Sequence, residues 1–144
     1  MKAGAIILNY NGSAHLQYCL PSLMKTEGDN ISWLLIDNNS SETIDGNITL
    51  PYPQLEIIKL KKNLGWSGGN NFGIRTLLAR QCEVVALLNN DIRVDPRWLE
   101  AAKLAFLSDP RIAVVGFSVI EPTRENGDRL IEFMDACLST RDIV

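Results

Sequence analysis

The chain contains a short apolar run, residues 84–88, that ends abruptly in the polar residues Asn89, Asn90 and Asp91. An uninterrupted apolar run of this length predicts a strand buried on both faces, as in the centre of a parallel sheet. Polar side chains that follow such a strand lie at the carboxyl edge, where open α/β sheets bind ligands. A carboxylate flanked by amides suits a hard cation such as Mg2+ or Mn2+ that bridges to phosphate. The same residues also suit a turn and a cap for the helix expected near Pro96.

Segments with strand and helix patterns alternate along the chain. Apolar runs typical of strands cover residues 3–8, 31–36, 55–60, 84–88 and 112–119, and helical spacing of apolar residues covers 15–24, 70–80 and 96–107. The alternation predicts an α/β fold with a mostly parallel central sheet and helices on both faces. A length of 144 residues suits a single domain over residues 1–144.

Local signals predict where the helices begin and end. Ser13 suits the N-cap of the first helix, and Pro21 predicts a kink or an early end in it. Pro96 suits the first position of the third helix. Residues 42–50 are expected to form a short helix or an irregular segment. A turn signal at 126–128 is followed by a strand or a short helix over 130–138.

Composition argues against several classes of function. The formal net charge of −3 and the sequence pI of about 5.1 disfavour a nucleic-acid-binding protein, although residues 59–62 are rich in lysine. Three widely spaced cysteines, Cys19, Cys82 and Cys137, lack metal-ligand spacing and indicate free thiols in a reducing compartment. Neither a secretory signal nor a run of the roughly 20 apolar residues that span a bilayer is apparent. We therefore expect a cytoplasmic protein, and a peripheral position at the inner face of the membrane stays open.

Asp37 follows the second predicted strand and begins a polar stretch that ends at Ser41. A carboxylate at the carboxyl end of a strand can accept a hydrogen bond from a nucleobase N–H or a ribose hydroxyl. The alternative is a helix N-cap or an Asx-turn. We favour ligand binding because residues 89–91 repeat the same placement after another strand.

Residues 61–73 form a glycine-rich stretch that is expected to be a loop leading into a helix at about Asn70. Glycines let a backbone approach a ligand closely, and free N–H groups at a helix start attract anions. The stretch is not a dinucleotide-binding fingerprint, which would follow the first strand, and it lacks the Gly-Lys-Ser/Thr ending of a P-loop. The alternative is a flexible tight turn. Arg75 suits either a phosphate contact or a solvated helix face.

The remaining polar and aromatic residues add little to these sites. His15 is the only histidine and falls in a predicted surface helix, so serine or cysteine hydrolase chemistry has little support. Trp33, Trp66 and Trp98 are expected in the core or partly in it. Trp66 alone is expected in a loop, where it can meet a ligand.

Four motifs together resemble the family 2 glycosyltransferases, and their bacterial rhamnosyltransferase-like branch in particular. The motifs are ILNYN, LLIDNNSSE, NLGWSGGNNFGI and LLNNDIRVDPRWL, in this order over about residues 6–116. None is specific alone, but their order and spacing are specific as a set. The resemblance implies a GT-A fold, a Rossmann-like nucleotide-sugar-binding α/β domain with a metal site, in an enzyme that builds cell-surface polysaccharide.

The resemblance also assigns residues to the site. The loop after the first strand would cup the nucleotide base with Asn9, Tyr10 and Asn11, and Asp37 would contact the base. The nucleotide and sugar pocket would be lined by Asn63, Gly65, Gly69, Asn70 and Asn71. The metal motif reads Asn89-Asn90-Asp91, so Asp91 is the charged ligand for Mg2+ or Mn2+, and the amide in first position is expected to weaken metal affinity. Asp37 and Asp91 are therefore expected to reach a common pocket.

The implied chemistry is an inverting displacement at the anomeric carbon of a nucleotide-diphospho-sugar donor, with a glycan or lipid-linked acceptor. The cation would neutralise the leaving diphosphate, and a carboxylate base would take the acceptor's proton. No residue matches the family's catalytic motif, so the catalytic base is unknown. The carboxylates available late in the chain are Glu121, Glu125, Asp128, Glu132 and Asp135.

The missing base leads to an expectation about the chain itself. It is a fragment of a longer enzyme, a truncated reading frame, or a part that another chain completes. If the 144 residues are the whole protein, exposed apolar surface predicts a homo-oligomer or poor solubility.

Two other functions compete with sugar transfer. A non-catalytic nucleotide-sugar-binding module, or a truncated remnant, is favoured by the missing base. A nucleotidyltransferase is less well supported, because it would need a glycine-rich, basic loop after the first strand, and NYNGS is neither.

Overall fold

The computed structural model describes residues 1–28 and 30–117. The strands are β1 (Ala3–Asn9), β2 (Ile31–Asp37), β3 (Leu55–Lys59) and β4 (Val84–Asn89), and the helices are α1 (Ser13–Leu23), α2 (Gly46–Thr49), α3 (Gly65–Ala79) and α4 (Trp98–Ser108). These residues form two compact units, 1–24 with 30–93 and 25–28 with 94–117. The predictions for residues 118–144, among them the late carboxylates, the turn at 126–128 and Cys137, lie outside the described residues.

The strands of the larger unit form one parallel sheet in the order β3-β2-β1-β4, which confirms the predicted α/β class. The chain moves from β1 to β2 to β3 in one direction and then returns to place β4 on the other side of β1. Because crossovers between parallel strands are right-handed, the helices of the outward and return crossovers, α1 and α3, lie on opposite faces. The sheet is therefore covered by helices on both faces.

The face of the sheet under α3 carries a continuous apolar core. Side chains alternate between the two faces of a strand, so Ile6 on β1 and Leu34 and Ile36 on β2 point to the same side. They pack with Leu77 of α3, and all of these side chains are fully buried. Burying a side chain of this size contributes about 1.5–3 kcal/mol, so this layer is a main source of the unit's stability.

Two glycines of α3 let the helix lie directly on the sheet. A Cβ at Gly73 would come within 2.7 Å of the terminal methyl carbons of both Ile6 and Ile36, and a Cβ at Gly69 would come within 2.6 Å of Leu8. The helix begins at Gly65, where φ is +70°, a left-handed value that favours glycine. The prediction of a glycine-rich loop up to Asn70 was wrong, because α3 already begins at Gly65. Gly69 and Gly73 thus serve close helix–sheet packing and not loop flexibility.

The cover of β4 is less complete than the apolar run predicts. Within the described residues, β1 and β2 each have a strand on both sides, and β4 pairs with β1. Its residues are only half-buried, and Leu87 is 42% exposed. An apolar run indicates that both faces of a strand are at least partly buried. It does not indicate how many strands pair with it.

The predicted helix ends were correct to within a few residues. α1 ends at Leu23, two residues after Pro21, but its N-cap is Gly12 and no side chain caps it, so Ser13 is not the cap. α4 begins at Trp98 after the N-cap Arg97, so Pro96 precedes the helix and does not occupy its first position.

The smaller unit contains α4 and the segment that follows it. Trp98 is buried, donates its indole N–H to the Thr26 hydroxyl at 2.8 Å, and meets the ring of Phe117 edge-on at 5.9 Å between centroids. The expected fifth strand does not appear in residues 112–117, which belong to no strand; the rest of that prediction lies outside the described residues. None of the helices described here is long and apolar enough to cross a membrane.

The close packing of α3 predicts the effect of a single added methyl group. Gly73→Ala should lower the free energy of unfolding by about 1 kcal/mol, since overpacking typically costs about 1–3 kcal/mol and exceeds the gain in helix propensity. Gly46→Ala is the control, because a Cβ there meets nothing within 4 Å. Urea denaturation measures both variants. Equal midpoints for the two would show that the core adapts to the methyl group without cost.

Candidate functional site

The carboxyl ends of β1, β2 and β4 lie side by side at one edge of the sheet. Asn9 pairs with Asp37 across β1 and β2, and Leu8 pairs with Asn89 across β1 and β4. The strand order reverses between β1 and β4, and open α/β sheets bind ligands outside the strand ends at such a reversal. Asp37 and Asp91 thus flank β1 at the same edge, with Asn9 between their strands.

Asn9, at the end of β1, connects the carboxyl ends of β2 and β4, the strands on either side of it. Its side chain is fully buried. Its Oδ1 accepts a hydrogen bond from Asn90 Nδ2 at 2.7 Å, and its Nδ2 lies 3.5 Å from the hydroxyl oxygen of Ser40. Its backbone carbonyl accepts the N–H of Asn38 at 2.8 Å. Direct contact between Asn9 and a nucleotide stays a prediction, and the side chain has no exposed surface through which to make it.

Asp37 is buried and holds the loop that follows β2. Its Oδ1 accepts the backbone N–H of Ser40 at 2.9 Å, and its Oδ2 lies 3.5 Å from Lys59 Nζ. Lys59 also donates to the Ser40 carbonyl at 3.2 Å. The local turn considered as the alternative for Asp37 is therefore present, and contact with a nucleoside stays a prediction beside it.

The loop after β1 is tied to the loop after β2. Asn11 has φ of +50°, a value that asparagine tolerates better than most residues. Its Oδ1 accepts the N–H and the hydroxyl of Ser41 at 2.8 and 3.1 Å, and its own N–H donates to the Ser40 hydroxyl at 2.9 Å. Tyr10 lies between these anchored residues and is 53% exposed. The loop therefore presents an aromatic ring on a fixed backbone.

Asn38 anchors the segment that leads into α3. Its Nδ2 donates to Asn63 Oδ1 and to the Gly65 carbonyl, both at 3.0 Å, and its Oδ1 accepts the N–H of Leu64 at 2.9 Å. Asn63 Oδ1 also accepts the N–H of Gly65 at 2.7 Å. One buried amide thus fixes the amino-terminal end of α3 at the carboxyl edge of the sheet.

The first turns of α3 combine exposed and buried site residues. Trp66 is 60% exposed and Asn71 is exposed, whereas Gly69 and Asn70 are buried. Asn70 donates to the Trp66 carbonyl at 3.0 Å, but its buried Oδ1 has no hydrogen-bond partner among the described residues. A buried acceptor without a partner is uncommon and costs stability, so this oxygen calls for a donor.

The turn after β4 is held at two points and leaves Asp91 exposed. Asn90 donates to Asn9 and, at 3.4 Å, to the carbonyl of Gly12. The Asn89 carbonyl accepts from the Cys19 thiol at 3.7 Å. Burial, foremost, raises the pKa of the Cys19 thiol to about 11, so the sulfur keeps its proton for this bond at neutral pH. In the described part of the chain, Asp91 makes no hydrogen bond or ion pair.

The described residues contain no group of three or more His, Cys, Asp or Glu side chains that could hold a metal ion alone. Asp91 offers one exposed carboxylate beside the amides of Asn89 and Asn90. Mg2+ is usually bound by one or two carboxylates together with phosphate oxygens and water. The donor set therefore fits a cation that arrives with a diphosphate, and it does not fit a resident metal centre.

Comparison with protein-family models identifies the family to which the chain belongs. The model of the family described as glycosyl transferase family 2 matches residues 5–141. The chain belongs to this family. Among curated proteins, none matches the chain.

Solved structures place this family 2 chain in the GT-A fold. It resembles S. aureus TarS 1–349 in complex with UDP-GlcNAc, with 20% identity and a TM-score of 0.59, over 75% of this chain and 32% of that one. It also resembles the mannosyltransferase PcManGT from Pyrobaculum calidifontis in complex with GDP-Man and Mn2+, with 16% identity and a TM-score of 0.61, over 77% of this chain and 33% of that one. The family 2 chain thus spans about a third of these solved chains, and the likeness establishes the fold.

The structure adds residues to which the sequence assigned no role. Asn38 and Ser40 were visible only as part of a polar stretch, and Gly12 was visible only as part of a loop. The length of the polar stretch after β2 was the available signal, because a simple turn does not require so many side chains that can bond to the backbone. Their partners, Asn63 and Asn11, are distant in sequence, and sequence patterns carry no information about such pairs.

The anchoring by Asn38 predicts a difference between two adjacent amides. Asn38→Asp replaces a buried donor with a third oxygen beside two acceptors, and should cost about 1–3 kcal/mol of stability at pH 7. Asn39→Asp introduces the same charge at an exposed residue and should change stability by less than about 0.5 kcal/mol. Urea denaturation of both variants measures the difference. It should shrink as the pH falls towards about 4, because a carboxyl placed beside two acceptors is protonated more readily than a free one and then regains one donor; a pH-independent difference would contradict the assignment of the bonds.

Proposed function

We propose that this chain binds a nucleotide-diphospho-sugar and belongs to an enzyme that transfers the sugar, with inversion, to an acceptor. The sequence resemblance favours rhamnose as the sugar and a cell-surface polysaccharide or a lipid-linked molecule as the acceptor. It also favours the cytoplasm, at or near the inner face of the membrane, as the place of the reaction. Membership of family 2 supports the class of reaction.

One observation carries the proposal: polar side chains from the ends of β1 and β4 and from the loop after β2 meet at the strand reversal. Asn90, Asn9 and Ser40 form a continuous set of side-chain contacts across the ends of β4, β1 and the loop after β2. Asp37 accepts the backbone N–H of Ser40 and so holds the loop after β2 in place. A packed network of this kind preorganises a surface, because each group is already held in place before a ligand arrives.

The exposed groups around this network suit the parts of a nucleotide sugar. Tyr10 and Trp66 expose aromatic surface that can cover a base or a sugar ring. The amino-terminal end of α3 carries N–H groups suited to an anion such as a diphosphate. The unpaired Oδ1 of Asn70 can accept a hydrogen bond from a hydroxyl.

A divalent cation would be held by Asp91 together with amide oxygens and the diphosphate of the donor. Bound there, Mg2+ or Mn2+ would neutralise charge on the departing nucleoside diphosphate. Because the protein itself offers few ligands, the cation and the nucleotide should each bind weakly alone and strengthen each other's binding.

This mutual dependence predicts the effect of removing the Asp91 carboxylate. In calorimetric titrations with UDP, GDP and dTDP, the wild-type chain should bind at least one nucleotide more tightly when Mn2+ is present. Asp91→Ala should abolish that Mn2+-dependent gain and leave metal-free binding nearly unchanged. If the variant keeps the full Mn2+-dependent gain in nucleotide affinity, Asp91 is not a ligand of the proposed cation.

Variants at two further residues serve as controls. Glu83→Ala removes a carboxylate from the opposite end of the same strand, where it bonds to the N–H of Lys2, and should keep the Mn2+ gain. Asp37→Ala should weaken nucleotide binding with or without Mn2+. Asp37→Asn keeps an acceptor for Ser40, so it separates loss of the loop from loss of a nucleoside contact.

A nucleotide-sugar-binding module without turnover is the competing function. The sequence feature in its favour is that none of the late carboxylates, from Glu121 to Asp135, stands in a context that matches the family's catalytic motif. Transferase assays on the chain alone, with and without Mn2+ and with released nucleoside diphosphate as the readout, separate the two. Turnover above the rate of donor hydrolysis by the Asp91→Ala variant would exclude the binding-only function.

A further inference from the structure

The buried Asn9 amide and the partly buried Asn90 amide are hydrogen-bonded at the point where the sheet reverses, and the direction of the bond between them is informative. Asn90 Nδ2 is the donor and Asn9 Oδ1 is the acceptor, at 2.7 Å. The same Nδ2 also donates to the Gly12 carbonyl at 3.4 Å. Both protons of the Asn90 amide therefore have acceptors on β1 and the loop that follows it.

From this geometry we infer that Asn9 is a positioning residue that sets the orientation of the Asn90 amide, so that the oxygen of Asn90 is the atom available to a cation. An amide carries its oxygen and its nitrogen on opposite sides of the group. With the nitrogen bound to Asn9, Asn90 Oδ1 is left with no hydrogen bond among the described residues. Hard cations bind oxygen and not an NH2 group, so the orientation decides whether Asn90 can be a ligand.

Asn9 is suited to this role because it has no exposed surface. It is the last residue of β1 and its backbone is held by the N–H of Asn38 at 2.8 Å, so its Oδ1 is a fixed acceptor. It acts through Asn90 and does not itself touch a ligand. This role differs from the base contact that the sequence resemblance assigns to it.

Gly12 supplies the space in which the Asn90 amide is held. A Cβ at Gly12 would lie 2.3 Å from Asn90 Nδ2 and 3.2 Å from Asn9 Oδ1. Its φ of −128° is negative, so the backbone conformation does not by itself call for glycine. The close approach of the Asn90 amide does call for glycine, because any side chain at this position would displace the amide.

The inference rests on the proposed function, and its experiment uses the ratio of nucleotide affinities with and without Mn2+. Asn9→Ala removes the acceptor, so the Asn90 amide is free to turn, and the ratio should fall about tenfold, as for groups that orient metal ligands. Asn9→Asp keeps an acceptor for the Asn90 NH2 and should retain the wild-type ratio to within about threefold. A wild-type ratio in Asn9→Ala, or a tenfold loss in Asn9→Asp, would overturn the inference.

Matched variants separate orientation from general loss of structure. Asn38→Ala removes another buried amide at the same edge, one that bonds to the segment before α3 and not to Asn90, and it should lower stability while keeping the Mn2+ ratio. Gly12→Ala retains the Asn9 side chain but displaces the Asn90 amide, which the new Cβ meets most closely, so it should reproduce the loss of the ratio. If Asn9→Ala fails to fold, Gly12→Ala decides the question.

A ligand-free measurement keeps the inference distinct from the proposed function. In 15N-labelled protein, the two side-chain NH2 protons of Asn90 should be protected from exchange, and this protection should be lost in Asn9→Ala and kept in Asn9→Asp. If the wild type shows no Mn2+ gain, the proposed function fails and the NMR result alone judges the orientation. Unprotected Asn90 protons in the wild type would refute it.

Discussion

The parallel pairing of β1 with both β2 and β4 is the constraint on which the rest of the larger unit depends. It brings the carboxyl ends of these strands to one edge and makes Asn9 the residue between them. It also forces the outward and return crossovers onto opposite faces, which is why α3 lies on its own side of the sheet. The apolar layer of Ile6, Ile36 and Leu77 then fixes the distance between helix and sheet.

The polar edge of the sheet is organised by the need to satisfy buried groups. Asn9, Asp37 and Asn38 are each almost fully buried. The side chains of Asn9 and Asn38 bond to loops that are distant in sequence, and that of Asp37 bonds to its own loop. A buried amide or carboxylate without partners would cost roughly 1–3 kcal/mol, so each bond both stabilises the fold and holds a loop in one position. The exposed groups Tyr10, Trp66 and Asp91 are carried on segments that these buried residues hold. Ligand contact and structural support are thus divided between different side chains.

Several elements were predictable because the signal is local. Apolar runs ending in asparagine and aspartate marked β1, β2 and β4, and helical spacing marked α1. The start of α3 was not predictable, because glycine favours loops by its local properties. Whether Gly69 and Gly73 lie in a loop or against Leu8 and Ile6 depends on residues that are far away in the chain. A strand's own sequence likewise does not specify its neighbours, so the partial exposure of β4 was not predictable either.

The sequence by itself determined the fold class, the family and the polar clusters at the strand ends, because these follow from short-range periodicity and from motifs in a fixed order. The tertiary structure alone decided which of those polar residues are buried supports and which are exposed. That division arises from pairing between strands and loops about 25 to 80 residues apart, such as Asn38 with Asn63 and Asn9 with Asn90. Contacts over such separations are set by packing, and a linear pattern does not encode which two amides will meet.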